Sequence, residues 1–532
     1  MSPNPRTDPY AAQLQSPLFR LPRELRDEIY AHYTFEENGY FHQIDTGKLY
    51  LADRQPIDLR LMYTCRAVAA EMKGAALRTN TVTFQTGDIE DELGYYGLRS
   101  RAGRYNMLQA RVTTTRLQML IYAAPCVTPQ VLQSLVITCG ESGQYFVDAL
   151  KAVQDGRRRV DYMDGTGLIC ELAMVGGIDF SVEHRQALKH LLELASVHAD
   201  FDRLASLAFD RTTNNTRAWS TFFLHDAFKS VLTWQPCAWA IPTITELLSL
   251  ENLLTEEPLN HIYGSCFSED NNMCKWFFSA TAIAISFFSQ HPSETFHMRN
   301  VILEEVFKSV SNPEHHARGL IPHLGAYKGL RIERHVGLWT TLYPPGWNGI
   351  LYHLIAEKEE GLIQTATRFE DILFSLVQWI TEVRDAESSL LAKSFTLALG
   401  HDISEIWSLA HEAAMLGEAM HEYYNQRGVG TPSHGTHVDF QRVLFPLPCH
   451  VPRQFTYSVK AMIGGSSRLI RFNGFAGDRW DLSQILPQRA YWSASDWHME
   501  WKALMERKIA LPGGSAHALV ERYKITRVVE DL

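Results

Sequence analysis

Ser16-Pro-Leu-Phe-Arg-Leu-Pro-Arg-Glu-Leu-Arg-Asp-Glu-Ile-Tyr30 contains the point, Leu18-Phe19, from which the chain reads as ordered; Leu61-Met-Tyr-Thr-Cys-Arg66, Glu71 and Thr79-Asn-Thr-Val-Thr-Phe84 follow it. Proline at Pro22 suits the first turn of a helix, where a missing N–H costs nothing. Leu21, Leu25 and Ile29 then recur at i, i+4 and i+8 among Arg23, Glu24, Arg26, Asp27 and Glu28, the pattern of an amphipathic helix. Residues 36–56, with Gly39, Gly47, Pro56 and scattered aromatics, read as a loop or short hairpin. Asp58 can cap a second helix, whose apolar stripe is Leu61, Cys65, Val68 and Met72. After Asn80, Thr81-Val-Thr-Phe84 favours a short strand. The outcome is a helix–loop–helix–strand unit over residues 18–86, behind a proline-rich, polar leader at 1–17 that reads as disordered.

An acidic, glycine-bearing stretch from Gly87 to Arg104 separates this unit from a body over residues 105–440. Helical spacing recurs there at Glu183–Leu207, Ile244–Leu254 and Phe369–Val383, while residues 130–138 read as a helix end running into a strand. His297–Leu303 and Leu330–Val336 look like paired strands flanking the loop Asn312-Pro-Glu-His-His316. Trp276–Phe288 is apolar for only 13 residues, short of the roughly 20 a membrane-spanning helix needs, so it predicts a buried core helix. No repeat of 20–50 residues is visible. The expected fold class is mainly α, a helix-heavy α+β chain with a small N-terminal helical module and a large helix-rich body.

Proline-dense Phe445–Pro452 marks a further boundary, beyond which the charge changes sign. Residues 441–532 hold 13 Lys and Arg against 8 Asp and Glu, and carry Trp480, Trp492, Trp497 and Trp501, which are expected as core anchors. The whole chain of 532 residues carries a formal charge of −10, which argues against a general nucleic-acid binder working through a basic surface. Hydrophobic residues at 45% and charged residues at 21% exclude disordered, collagenous and coiled-coil classes. The N-terminus lacks the apolar core of a secretory signal, and the 8 cysteines are sparse, with no CxxC pair. An intracellular, cytoplasmic or nuclear protein with free thiols and no membrane association is expected.

Motifs that carry chemistry are mostly missing. No GxSxG, GxxxxGK[ST] or GxGxxG string occurs; Gly464-Gly-Ser-Ser-Arg468 lacks the closing glycine, and Asp164-Gly-Thr-Gly167 reads as a turn. His411-Glu412 begins like a zinc-protease helix, but Met415 stands where the second histidine belongs. His434, His437, Cys449 and His450 match no zinc module, and His315, His316, His323 and His335 read as surface or structural. Arg157-Arg158-Arg159 reads as a solvated loop. No catalytic residue, metal ligand or cofactor is assigned.

The N-terminal unit resembles the F-box-like module of a large fungal family that begins LPxELRxxIY and continues with an LxxTCRxxxxE helix and an NTxxF strand. Pro313–Pro322, Leu330–Val336 and Leu338-Trp339 are similar to a later segment of the same uncharacterised proteins, the matches covering about 100 residues. The resemblance implies a non-enzymatic adaptor. Its module would dock on the linker subunit of a cullin-type ubiquitin ligase through Leu21, Pro22, Leu25, Ile29, Leu61 and Cys65, while the body holds an unknown protein substrate. About twenty residues (36–56) separate helices that an F-box joins tightly, and Asn80–Phe84 stands where a tryptophan often closes the motif. Two other readings compete: a stand-alone structural or regulatory protein whose module packs against its own body, and an enzyme with an unrecognised site drawn from His411, Glu412, His434, His437 and His450.

Overall fold

The computed structural model describes residues 16–88, 100–154, 182–209, 223–254, 276–343, 366–386, 394–427 and 451–512. Most of the expected leader, the Arg157–Arg159 run, the Asp164–Gly167 turn and His434, His437, Cys449 and His450 lie outside the described residues.

The N-terminal unit forms as helix α1 (Arg23–Thr34), a hairpin of β1 (Tyr40–Gln43) and β2 (Lys48–Leu51), helices α2 (Arg66–Met72) and α3 (Ala75–Thr79), and strand β3 (Thr81–Gln85). Cys65, not Asp58, is the N-cap of α2, its Sγ accepting from Val68 N at 3.5 Å; Asp58 instead folds back on Arg60. Further strands follow at β4 (Asn300–Glu305), β5 (Arg331–Val336), β6 (Ala366–Arg368), β7 (Phe395–Leu399), β8 (Ile470–Phe472) and β9 (Lys508–Ala510).

Seven of these make one sheet in the order β2-β1-β3-β4-β5-β7-β8. Only β2 runs antiparallel to its neighbour; the pairs from β1 to β8 are all parallel. The chain is therefore α/β, which corrects the mainly α, helix-heavy α+β expectation. The error has a physical source. Each strand is only 3 to 6 residues long, and the pairing of β3 with β4 joins positions 219 residues apart, beyond the reach of local periodicity. The two segments expected as paired strands do pair, as β4 and β5, in parallel register from Asn300–Arg331 to Glu305–Val336.

After β2 the strand order follows the chain without reversal, so the sheet has no switch point of the kind where open α/β sheets usually bind ligands. Helices gather on one face. Helix α8 (Ala280–Gln290) meets it through Phe287 and Phe288 on Phe84, at 5.5 and 5.8 Å. Helix α9 (Phe369–Ala386) meets it through Trp379, and helix α10 (Ser404–Gln426) through Trp407 on Phe472 at 4.6 Å. Val82, Val301, Leu303, Ile332, Val336, Phe395, Leu397 and Leu399 fill the buried side of the sheet. The other side is polar: Gln85 donates to Glu304 at 2.6 Å, and Glu333 is bonded by His335 at 2.5 Å and by Arg471.

The insertion between β3 and β4 is helical, with α4 (Arg101–Tyr122), α5 (Pro129–Gln154), α6 (Val182–Ala195) and α7 (Ile244–Glu251) sharing the main core. Residues 130–138 are helical throughout, inside α5, where no strand begins; the helix kinks later, at Gly140 (φ 56°). The apolar run near residue 280 is the expected core helix, α8, buried on nearly every side. Helices α11 (Arg453–Ile463) and α12 (Ala494–Met505) close the C-terminal side, with Trp497 and Trp501 buried as anchors and β9 paired to β6. No helix among the described residues is long and apolar enough to cross a membrane.

Gly39 takes φ 65°, and a Cβ there would collide with the backbone oxygen of Thr81. The close approach lets β1 lie beside β3. Gly39→Ala is expected to lower unfolding stability by about 1–3 kcal/mol, read as a shift in the urea midpoint; an unshifted midpoint would show that the backbone approach is not what seats the hairpin.

Candidate functional site

Helix α1 has two unlike faces. Inward, Arg26 grips Glu71 of α2 with Nη2 at 2.6 Å and Nε at 2.9 Å, and Tyr30 Oη donates to the same carboxylate at 2.8 Å. Hydrogen bonds from Arg26 and then Tyr30 hold the Glu71 carboxyl below the usual carboxylate range, against the opposing effect of burial. Buried Asn80 completes the lock. Its Nδ2 donates to Thr34 O (2.6 Å) and Ala76 O (2.9 Å), and its Oδ1 accepts from Glu36 N (2.8 Å), joining the ends of α1 and α3. Four polar letters of the motif (Arg26, Tyr30, Glu71 and Asn80) are thus accounted for by architecture. Tyr30, Val68, Met72 and Ala75 form a small core of their own, separate from the main one, with Leu18, Phe19, Leu61, Met62 and Cys65 packed on it.

Outward, Leu25 is 45% exposed and Ile29 40%, and Tyr33 extends the same stripe one turn further. Tyr33 Oη accepts from Leu61 N at 3.3 Å, which brings the turn at 61–63 beside the end of α1, where Tyr63 stands 78% exposed. Of the six residues expected to bind a partner, Pro22, Leu25 and Ile29 are exposed, Leu21 is half-buried, and Leu61 and Cys65 are half-buried against the small core. Tyr33 and Tyr63 were not anticipated; the i+4 step from Ile29 to Tyr33 carries the signal for the first.

A second polar centre lies inside the molecule at the carboxyl ends of β4 and β5. Arg334, with Glu305 the most buried charge in the sheet, donates to Glu305 Oε1 from Nε (2.8 Å) and Nη2 (2.6 Å), donates to Pro313 O (2.8 Å), and lies 4.2 Å from the Trp379 ring. Glu305 also receives Ala280 N (3.0 Å) and Thr281 Oγ1 (2.9 Å), so a carboxylate caps the positive end of α8. Beside it Ser279 Oγ stands 2.6 Å from His316 Nδ1, and His316 Nε2 is 2.9 Å from Ser311 O. These are the atoms of a nucleophile–base pair, but Ser279 is fully buried and caps α8 by accepting from Ala282 N at 2.9 Å. Burial, reinforced by Arg334, pushes His316 down to about 3, leaving it neutral. Ser311 and Asn312, both at positive φ, are held there by Gln109 on Ser311 Oγ (3.0 Å) and by Arg185 on Asn312. This centre is a joint whose groups are bonded to one another.

Of the residues proposed for an enzymatic site, His411 and Glu412 lie among the described residues, and each is bonded elsewhere in the fold. His411 Nε2 is bonded to Asp478 O at 2.8 Å and Glu412 pairs with Arg507 at 3.0 Å. His335 pairs with Glu333, and His315 Nδ1 lies 2.9 Å from Glu382 beside Arg318. Among the described residues no group of three or more His, Cys, Asp or Glu is arranged to hold a metal ion. No protein-family model, no curated protein and no solved structure matches the chain. The outward face of α1 is the candidate site.

Two predictions follow the geometry. Arg334→Met alone, which leaves Glu305 buried without its partner, is expected to cost about 3–5 kcal/mol, and Glu305→Gln with Arg334→Met substantially less than the two single changes combined. Urea unfolding of the three variants measures this, and additive losses would mean that the pair is not coupled. The depressed Glu71 contributes stability that is present above its unfolded value and is lost as pH falls through its folded value. Glu71→Gln should therefore lower Tm at pH 7 and flatten the fall in Tm on acidification below about 4.5. An identical pH profile for the two proteins would rule out the Glu71 lock as its source.

Proposed function

We propose that the chain is an intracellular F-box-like adaptor that works without catalysis, docking by the outward face of α1 on the linker subunit of a cullin-type ubiquitin ligase while the body after residue 100 holds a protein substrate. The observation that carries this reading is the division of labour on α1. Arg26 and Tyr30 lock the helix to α2, while Leu25, Ile29 and Tyr33 stay exposed at helical spacing. An apolar stripe of this kind is what a helix-in-groove partner reads. A partner that covers Leu25 and Ile29 gains at most about 1.5–3 kcal/mol from each side chain, reduced by the part already buried. The stand-alone reading requires the body to shield this stripe, and the exposure of Leu25 and Ile29 speaks against it.

The test is capture of the linker subunit from the native cell and from purified components. The wild type is expected to retain it. Leu25→Asp with Ile29→Asp should reduce retention at least tenfold with an unchanged circular dichroism spectrum. A wild type that retains no linker subunit, or a double variant that retains it equally well, would remove the proposal.

A further inference from the structure

The amino ends of β3, β4 and β5 bring together cations from chain segments far apart in sequence. Arg78, on α3, donates to Lys73 O at 3.0 Å and lies 3.2 Å from His297 Nδ1. Arg299 follows two residues after His297; its Nη1 bonds the backbone oxygens of Phe296 (3.1 Å) and Met298 (2.9 Å). Its side chain also packs 3.3 Å from where a Cβ of Gly329 would be, next to exposed Lys328. Arg331 N donates to Arg299 O at 2.8 Å, which sets exposed Arg331 at the head of β5. Lys73, Arg78, Arg299, Lys328 and Arg331 make no ion pair with a carboxylate among the described residues.

The crowding leaves its mark on His297, which is pushed down first by burial and then by Arg78, Lys73 and Arg299, with Glu294 alone acting the other way. Like charges gathered with Glu294 opposing them cost stability in the free protein and are relieved by an added anion. The setting is a chain of net charge −10, so the patch stands out from an acidic background.

We propose that this patch is the recognition surface for an acidic peptide segment of a protein partner, its carboxylate or phosphate groups paired with Lys73, Arg78, Arg299 and Arg331 and an apolar side chain set on Phe296, which is 62% exposed beside them. Three strand heads at about 4.8 Å spacing span roughly 10 Å, room for two or three anionic side chains and too little for a run of nucleic-acid backbone. The overall negative charge repels a long polyanion beyond the patch. The biological role as substrate recognition rests on the adaptor reading; the binding itself does not.

The probes are fluorescein-labelled nonapeptides with six Glu around a central Leu, the same peptide with phosphoserine for Glu, and the same with Gln. Anisotropy with the full chain in 50 mM salt should give at least tenfold tighter binding for one or both anionic peptides than for the Gln peptide; the difference should shrink in 300 mM salt. Lys73→Glu with Arg78→Glu should reduce affinity at least tenfold. Lys73→Glu with Arg331→Gln, at exposed positions without side-chain bonds in the fold, serves if the first pair disturbs folding. Leu25→Asp with Ile29→Asp should leave peptide affinity unchanged, which keeps failure here distinct from failure of linker capture. Equal affinity for the Glu, phosphoserine and Gln peptides, variants that bind like the wild type, or tighter binding of a 20-nucleotide single strand than of either anionic peptide would each overturn the proposal.

Discussion

The buried pairing of Glu305 with Arg334 is the constraint on which the centre of the molecule is built. A guanidinium and a carboxylate taken out of water are tolerated only when every donor and acceptor is matched, and here the matching is done by pieces from different parts of the chain. Strand β4 supplies the acid and β5 the base. Helix α8 supplies N–H groups and a hydroxyl, the loop at Pro313 a carbonyl, and α9 the indole that faces the guanidinium. Removing Glu305 or Arg334 alone leaves the other charge stranded in the core. The pair therefore ties the strand register to the placement of two helices, which apolar packing alone would do less specifically.

A similar principle operates on a smaller scale in the N-terminal unit. Arg26, Tyr30, Glu71 and Asn80 tie α1, α2 and α3 together with polar bonds, so the small apolar core beneath them needs only a few side chains. Leu25 and Ile29 are then free of any structural duty. The unit is also not an independent helical bead: β1 and β3 belong to the common sheet, so a load on α1 is transmitted directly into the sheet's edge.

Local order was readable from the sequence wherever it follows a period. The α1 stripe, the core helix near residue 280 and the β4 and β5 segments all show their pattern over a few residues. The sheet as a whole was not readable, for two reasons. Its strands are short and pair across long separations, and its central residues disguise it. Within Leu330-Arg-Ile-Glu-Arg-His-Val336, the charged Arg334 occupies a core position between Ile332 and Val336, where hydropathy would place it outside. Glu305 hides the end of β4 in the same way. The candidate site was half legible: spacing gave Leu25 and Ile29, but it could not say which side of the helix the Arg26–Glu71 bond would claim.

The parallel pairing of β3 with β4 has a consequence for how the protein is made. Gln85 leaves the ribosome 219 residues ahead of Glu304. At about 5–20 residues per second, β3 waits roughly ten to forty seconds before its partner strand exists. During that interval an apolar strand with an unpaired edge is available to any other extended chain. Newly made protein should therefore depend on chaperones far more than the finished molecule does, and a break in translation anywhere between the two strands would strand the same edge permanently.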